Sequence, residues 1–463
     1  MNTKSRESRP AVSAARAAAF DILLRVERES SYASELLHSQ TYAKLTLADN
    51  ALTMELVMGV SRWRSLLDSE IAKSSAQPLS KLDLEILIAL RLAVYQFRRL
   101  SRIPARAALN ESVELVKRAR KRSAAPFVNA VLRKIVANDR PAEDILPHAL
   151  DASSAAILAE STAHPIWLVE RWIGAYGIEA ATEICNYDQS VPVTSIRLRL
   201  PGAEERLYAE GIALAPGALL ASARRVQHGD ISKTTAFQTG LCAIQDEASQ
   251  LVAALVSRAE HVLDCCAAPG GKTAAIADQN LNAKMFAVDL HPHRALLLRR
   301  LLRVPAGAEV GSSNFRVIAA DARQLPFAAK FDHVLADVPC SGTGTLARNP
   351  EIKWRLTPED LGDLQSRQLA ILRPALGQVA PGGRLIYSTC SLEREENEQV
   401  IDQALAEDSS FHIIDCRSEL EQLHREGVIS FPDPSSLTRG PYLRTLPGAQ
   451  PCDGFFAAIL ERV

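Results

Sequence analysis

Through the first 137 residues apolar positions recur every three or four places and rarely alternate, so this part of the chain reads as helices only. Phe20, Ile22, Leu23 and Val26 mark one helix within residues 15–26. Residues 81–97 are apolar on almost every face, the pattern of a helix buried at the centre of a bundle. A third pattern follows Pro104 and passes through Val113 and Val116. After Pro126, residues Phe127, Val128, Val131, Leu132, Ile135 and Val136 form a single helical stripe.

The period weakens between about 138 and 167, where Pro141, Pro147 and Pro165 punctuate the chain, and 141–165 reads as a linker with a short helix. Residues 166–236 hold a strand-like run from Val193 to Leu200 and a helical pattern over 204–210 ended by Gly211, enough for a small α/β subdomain. From Val262 onward short β runs alternate with helical patterns, the mark of a parallel sheet covered on both faces. Its strands are expected to begin at Val262, Met285, Phe315, His333, Leu385 and Phe455. The predicted organisation is therefore an all-α domain over 11–140, the linker, the small α/β subdomain, and a Rossmann-like α/β catalytic domain over 237–463.

At 463 residues and 47% apolar content the chain is long enough for more than one core. Net charge is −1, which by itself argues against a nucleic-acid partner. The average conceals an asymmetry: residues 91–140 hold thirteen Lys/Arg against three Asp/Glu, a local +10. Arg118, Arg120, Lys121 and Arg122 end one helix, and Arg133 and Lys134 ride on the next, so a phosphate-binding face is expected here. The first ten residues lack an apolar core, and no run approaches the roughly 18 apolar residues of a membrane span, which predicts a cytoplasmic protein with no membrane partner. Eight cysteines without a Cys-x-x-Cys pair make neither a disulfide framework nor a zinc site. Cys185, Cys242, Cys265, Cys266, Cys416 and Cys452 are expected to pack; Cys340 and Cys390 are the candidates for chemistry.

The first strand of the α/β region leads into Asp264-Cys265-Cys266-Ala267-Ala268-Pro269-Gly270-Gly271-Lys272-Thr273 and then a helix. A phosphate loop would need glycine where Cys266 stands, and a dinucleotide fingerprint would need Gly-x-Gly-x-x-Gly. What remains is a glycine turn that meets an amino-acid tail at a helix start. Asp289 ends the second strand, where an acid can accept both ribose hydroxyls, and Asp321 ends the third, facing an adenine amine. Three acids in order behind a glycine turn point to S-adenosyl-L-methionine. The expected contacts are Cys266, Ala267, Ala268, Pro269, Gly270, Gly271, Lys272, Asp289, Asp321 and Asp337; no metal is expected.

Two later stretches each end a strand in a thiol: Asp337-Val338-Pro339-Cys340-Ser341-Gly342, and Tyr387-Ser388-Thr389-Cys390-Ser391, which follows a Pro-Gly-Gly turn and a short strand over 384–386. Carbon 5 of a pyrimidine accepts a methyl group only after a nucleophile adds to carbon 6, and a thiolate does this well. An acid at ring N3, here Asp337, stabilises the charge that develops. Residue chemistry leaves Cys390 and Cys340 tied for the attack. The target base must also leave its stack, which a single-stranded RNA loop allows at least cost.

Two resemblances narrow this reading. Residues 108–117 (Ala-Leu-Asn-Glu-Ser-Val-Glu-Leu-Val-Lys) and 126–133 (Pro-Phe-Val-Asn-Ala-Val-Leu-Arg) resemble the helical RNA-binding fold of the NusB antitermination factor. Asp337 to Gly344, Arg348-Asn349-Pro350-Glu351-Ile352-Lys353-Trp354-Arg355, Ser388-Thr389-Cys390-Ser391, Glu396-Asn397-Glu398, Gln245-Asp246-Glu247-Ala248-Ser249 and Asp453-Gly454-Phe455-Phe456 resemble the RNA cytosine-C5 methyltransferases. A NusB-like domain in front resembles their bacterial RsmB (Fmu/Sun) type, in the RsmB/NOP family. That resemblance implies methylation of a cytosine in a 16S rRNA loop, of the position-967 type, with Cys390 attacking, Cys340 assisting release and Asp337 holding the base. It implies a monomer acting on ribosomal RNA rather than DNA. The alternatives are the same enzyme on transfer RNA, or a non-enzymatic RNA-binding factor.

Overall fold

The computed structural model describes residues 12–29, 31–42, 44–138, 153–302 and 314–463. The chain divides into two compact units, Met1–Ser190 with Leu346–Arg355, and Val191–Thr345 with Leu356–Val463. The N-terminal ten residues and the proline-punctuated stretch around Pro141 and Pro147 lie outside the described residues.

The first unit is helical. Ala14–Glu29, Leu47–Ser74, Leu84–Arg99, Ala105–Arg118 and Ala125–Ala137 surround a core that includes Phe20, Ile22, Leu56, Ile88, Leu92, Val116 and Leu132. Leu84–Arg99 is the buried helix its sequence predicts, with every residue from Ile88 to Gln96 shielded from water. A Cβ on Gly59 would lie 2.0 Å from the Tyr95 ring, so a side chain there would displace the ring from the helix that carries Gly59. Thr46 starts the long helix by accepting a hydrogen bond from the Asp49 N–H.

Two findings depart from the expected boundaries. Residues 154–190 form three helices, Ser154–Ser161, Ile166–Tyr176 and Ile178–Asp188, that cluster with the helical unit rather than with the small α/β segment. Leu168, Val169, Trp172 and Ile184 form their buried apolar stripes. The second finding is that Leu346–Arg355 also belongs to this unit. Trp354 Nε1 donates to the Ser61 carbonyl at 2.6 Å, Arg355 Nη2 to Val26 at 2.8 Å, and Glu351 Oε1 accepts from Ala33 N–H at 2.8 Å.

Much of the local +10 is matched by acids from outside the basic run. Arg91 is buried and holds both carboxylate oxygens of Asp68, at 2.6 and 2.7 Å, with Glu27 at 3.3 Å. Arg98 lies 2.8 Å from Glu70, Arg118 2.7 Å from Asp21 and Lys121 2.9 Å from Asp83. Arg102, Arg106, Arg120, Arg122, Arg133 and Lys134 present exposed surface.

The second unit contains two sheets. The smaller is antiparallel, in the order β2-β3-β1-β4, with β1 Ser195–Leu198, β2 Ala213–Pro216, β3 Ala223–His228 and β4 Cys242–Ile244. It runs past residue 236, because Cys242 and Ile196 share one small core with Leu207, Ile212 and Ile231. The larger sheet has β5 His261–Asp264, β6 Lys284–Asp289, β7 Phe315–Ala319, β8 Phe331–Asp337, β9 Val379–Thr389, β10 Phe411–Ile414, β11 Thr438–Arg439, β12 Tyr442–Thr445 and β13 Phe455–Arg462. Its order is β11-β12-β13-β9-β8-β5-β6-β7, with β10 on β13. Strands β5 to β9 are parallel, whereas β13 runs antiparallel to β9, so the sheet is mixed rather than all parallel. The strand expected over 384–386 is longer: β9 passes through the Pro-Gly-Gly turn, with Gly382 at φ 72, and stops one residue before Cys390. Among the described residues, no helix is long and apolar enough to cross a membrane and no cluster of His, Cys, Asp and Glu could hold a metal ion.

Candidate active site

Parallel pairing of β8 and β9 sets Asp337 opposite Ser388. The loops leaving both strands therefore emerge at one carboxyl edge, where α/β sheets bind ligands. Cys340 and Cys390 meet there with their Sγ atoms 3.3 Å apart. Backbone hydrogen bonds fix the approach: Val338 N–H donates to Ser388 O at 3.0 Å and Gly344 N–H to Cys390 O at 2.9 Å.

Asp337 is held on both oxygens. Lys272 Nζ lies 2.8 Å from Oδ2, and the Ser388 hydroxyl donates to Oδ1 at 2.7 Å. Lys272 also sits 4.7 Å from the centre of the Phe455 ring. Burial works against its ammonium, but the charge and hydrogen bond of Asp337 outweigh this, helped by Cys390 and Asp264, and its pKa rises above the ordinary lysine value. The Cys340 thiol is pushed well up by its hydrogen bond with Cys390, by burial, and by the charges of Cys390 and Glu396.

The glycine turn follows β5. Asp264 pins it from below, accepting from Cys266 N–H at 3.2 Å and from the Thr273 hydroxyl at 2.7 Å. Complete burial raises the Asp264 pKa to about 7. Gly270 takes φ 111, a conformation open to glycine, and the helix Gly271–Gln279 starts at once. Asp289, at the end of β6, accepts from Ala268 N–H at 3.3 Å and His291 N–H at 2.9 Å. Asp321 takes a different part: it caps the turn Ala322–Gln324 and binds the Arg323 guanidinium, with Nη2 at 2.6 Å. Arg197 on β1 and Arg199 both reach Asp278 on the helix Gly271–Gln279, so the small sheet steadies the helix that follows the glycine turn.

A family model described as 16S rRNA methyltransferase RsmB/F matches residues 253–461, and one described as NusB family matches 13–137. The chain is 35% identical over 456 residues to the probable ribosomal RNA small subunit methyltransferase B of Bacillus subtilis, covering 96% of this chain and 98% of that protein. It belongs to the RsmB/F family. The ribosomal RNA small subunit methyltransferase B of Pseudomonas syringae pv. tomato is 31% identical, with 89% of this chain and 90% of that protein covered. Among solved structures, PH0851 superposes with a TM-score of 0.77 at 24% identity over 97% of this chain and 98% of that one, a likeness of fold. A methyltransferase homologue from Pyrococcus horikoshii gives 0.54 at 25% identity, over 67% of this chain and all of the other.

This RsmB/F-family methyltransferase uses S-adenosylmethionine. Its expected site residues fall into two groups on one sheet edge: Asp337, Cys340 and Cys390 with Lys272, and the turn 266–271 with Asp289. Asp321 lies apart from neither by sequence, but its carboxylate is committed to Arg323. Two residues of the site escaped residue-by-residue reading. Ser388 orients Asp337, and what brings them together is the register of β8 against β9, which no pattern within either strand reveals. Glu396 is fully buried, and the sequence offers it only as one of the acids Glu393, Glu395 and Glu396 around Arg394. Cys185 and Cys416, pushed up to about 12 by burial, and Cys242, pushed up to about 11, are packing thiols.

Proposed function

We propose that this protein methylates carbon 5 of a cytosine in a loop of 16S ribosomal RNA, of the position-967 type, through a covalent bond between Cys390 Sγ and ring carbon 6. The observation that carries the reading is the pair of thiols 3.3 Å apart beside an aspartate that is held by both a lysine and a serine. Binding or isomer recognition alone would need neither the second thiol nor the buried ammonium.

The residues of the glycine turn fit an amino-acid cofactor. The helix Gly271–Gln279 begins at the turn with its N–H groups directed outward, and Asp289 keeps lone pairs beyond its two backbone donors. Cys266, Ala267, Ala268, Pro269, Gly270 and Gly271 would line the amino-acid end and Asp289 the ribose, while Asp321 would meet the adenine only by sharing itself with Arg323. S-adenosylmethionine supplies the methyl group as an electrophilic carbon.

Cys390 adds to carbon 6, and electron density moves across the ring toward carbon 5 and N3. Asp337 meets the N3 edge and holds by hydrogen bond the proton that N3 takes up as electron density reaches it, while the Lys272 ammonium on Oδ2 offsets the charge of the carboxylate itself. Once carbon 5 is methylated its proton passes to a water molecule acting as base, the electron pair of that C–H bond restores the 5,6 double bond, the sulfur–carbon bond breaks, and Cys390 departs as thiolate, with Cys340 assisting. The two relatives' names support ribosomal RNA as the substrate, and the exposed arginines of the NusB-like domain suit a phosphate backbone.

The test is transfer of labelled methyl to unmodified small-subunit rRNA, with the product mapped by bisulfite sequencing. Wild type should protect one cytosine, Cys390→Ala none, and Cys340→Ala should accumulate a protein–RNA adduct. Methylation of transfer RNA instead would overturn the partner, and full turnover by folded Cys390→Ala would overturn the chemistry.

A further inference from the structure

The two thiol-bearing turns share one carboxylate. Glu396, on the short helical turn Arg394–Glu396, is fully buried. Its Oε1 accepts from Ser341 N–H at 2.8 Å and from Gln368 Nε2 at 2.8 Å, and Gln368 reaches on to the Pro339 carbonyl at 3.0 Å. Its Oε2 accepts from the hydroxyls of both Ser341 and Ser391. The residue after Cys340 and the residue after Cys390 thus hang on the same side chain. All four donors are neutral, so hydrogen bonds alone compensate this anion. The cation of the site, Lys272, is bound to Asp337 instead, and its charge interacts with that of Cys390.

We propose that Glu396 is a positioning residue that holds the two cysteines in register and, by placing its negative charge on the Cys340 turn, keeps Cys340 the protonated partner of the pair. The assignment rests on the reading that Cys390 attacks, and it supplies the asymmetry that residue chemistry lacks. The groups acting on Cys340 are Cys390 from the end of β9, Glu396 from the turn and the Tyr387 phenol from within β9; Asp337 at the end of β8, with Lys272 on its Oδ2, acts on Tyr387 in turn. Tyr387 stays a phenol: burial, with the charges of Cys340, Glu396 and Asp337, pushes its pKa well up, and it donates to the Glu396 carbonyl at 2.6 Å. Glu396 is tied to the Cys340 turn through the Ser341 N–H, the Ser341 hydroxyl and, by way of Gln368, Pro339, but to the Cys390 turn through the Ser391 hydroxyl, and the sulfurs lie 3.3 Å apart, within reach of a hydrogen bond.

Glu396→Gln separates charge from bracing. An amide nitrogen at the Oε2 position can be accommodated, because the two serine hydroxyls facing it can turn and accept, while the amide oxygen keeps the Ser341 N–H and Gln368 donors. Alkylation by iodoacetamide, without RNA or donor, would be followed at each cysteine by mass spectrometry from pH 6 to pH 10. Glu396→Gln should lower the midpoint for Cys340 by about one unit or more, Glu396→Asp should restore it toward wild type, and Ser341→Ala, which keeps the charge, should leave it high. Methyl transfer by Glu396→Gln should fall roughly tenfold or more in kcat with little change in KM for RNA. An unshifted Cys340 midpoint in folded Glu396→Gln overturns the proposal. If that variant does not fold, wild type alone decides: preferential alkylation of Cys340 over Cys390 at pH 7.5 overturns it, and the reverse order supports it. These measurements need no turnover, so they stand apart from the Cys390→Ala test of the reaction.

Discussion

Gly344 rests directly on the backbone of Cys390. Its N–H donates to the Cys390 carbonyl at 2.9 Å, and a Cβ at this position would fall 2.9 Å from that same oxygen and 2.1 Å from the carbonyl oxygen of Gly454. Both obstacles are backbone atoms, which cannot swing aside as a side-chain end would. Gly344→Ala should therefore cost about 1–3 kcal/mol in denaturant unfolding and lower the yield of RNA adduct, because the displaced strand end carries the proposed nucleophile. Wild-type stability together with wild-type adduct yield would show that the contact is loose.

Lys272 is the positive charge nearest the proposed base-binding carboxylate. Lys272→Met should reduce single-turnover methyl transfer by about 10² to 10³, and Lys272→Arg should recover part of the loss. Because its pKa is raised, the ion pair stabilises the fold below the ordinary lysine value and is lost only as pH climbs through the higher folded value. Activity should accordingly show no loss attributable to Lys272 between pH 7 and pH 9, as a rate profile of wild type against Lys272→Arg would reveal.

Asp264 makes a contrary prediction. Its pKa is raised from 3.8 to about 7 by burial, so the folded state favours the protonated acid and loses stability as pH rises from about 4 to about 7. Asp264→Asn removes that titration. In urea unfolding, the stability of the variant relative to wild type should improve steadily across this window, on the order of a few kcal/mol in total, and stay level above pH 8. A difference independent of pH would mean that the group does not titrate there.

The basic helices should separate into two kinds of arginine. Arg91, buried on Asp68 and Glu27, is structural, and Arg91→Ala should destabilise the helical unit by about 3–5 kcal/mol. Arg120, Arg122 and Arg133 are exposed, and changing each to Gln should leave stability within about 0.5 kcal/mol. If they contact phosphates, each loss lowers the slope of log affinity against log salt by about 0.7–0.9. Filter binding to small-subunit rRNA over a salt series distinguishes these outcomes.

The sequence was most legible where local pattern and structure share a period. The helix containing residues 88–96, the starts of β5 to β8 and β13, and the pairing of a thiol with each of two strand ends were all readable from a few neighbouring residues. Strands β10, β11 and β12 were not, since two to four residues give too little alternation to stand out. The helices of 166–190 were misassigned to the small α/β segment because a stripe such as Leu168, Val169 and Trp172 tells that a face is covered but not by what. Asp321 was read from its place at a strand end, a pattern that gives no sign of the pairing with Arg323 found beside it. Glu396 was visible only as part of a motif; its bond to Ser341 spans 55 positions, beyond any local pattern.

Leu346–Arg355 leaves the unit that carries Cys340 only two residues after Gly344, packs among the N-terminal helices, and returns for the helix Asp360–Leu376. The helical unit is therefore stitched into the middle of the catalytic sequence as well as preceding it. A catalytic fragment cut at residue 190 would carry Ile352 and Trp354 with nothing to shelter them, and an N-terminal fragment ended at the same place would lack the piece that Ser61, Val26 and Ala33 hold. Such a protein resists being built by exchange of whole cassettes: a new helical front end would have to arrive together with the ten residues that thread into it.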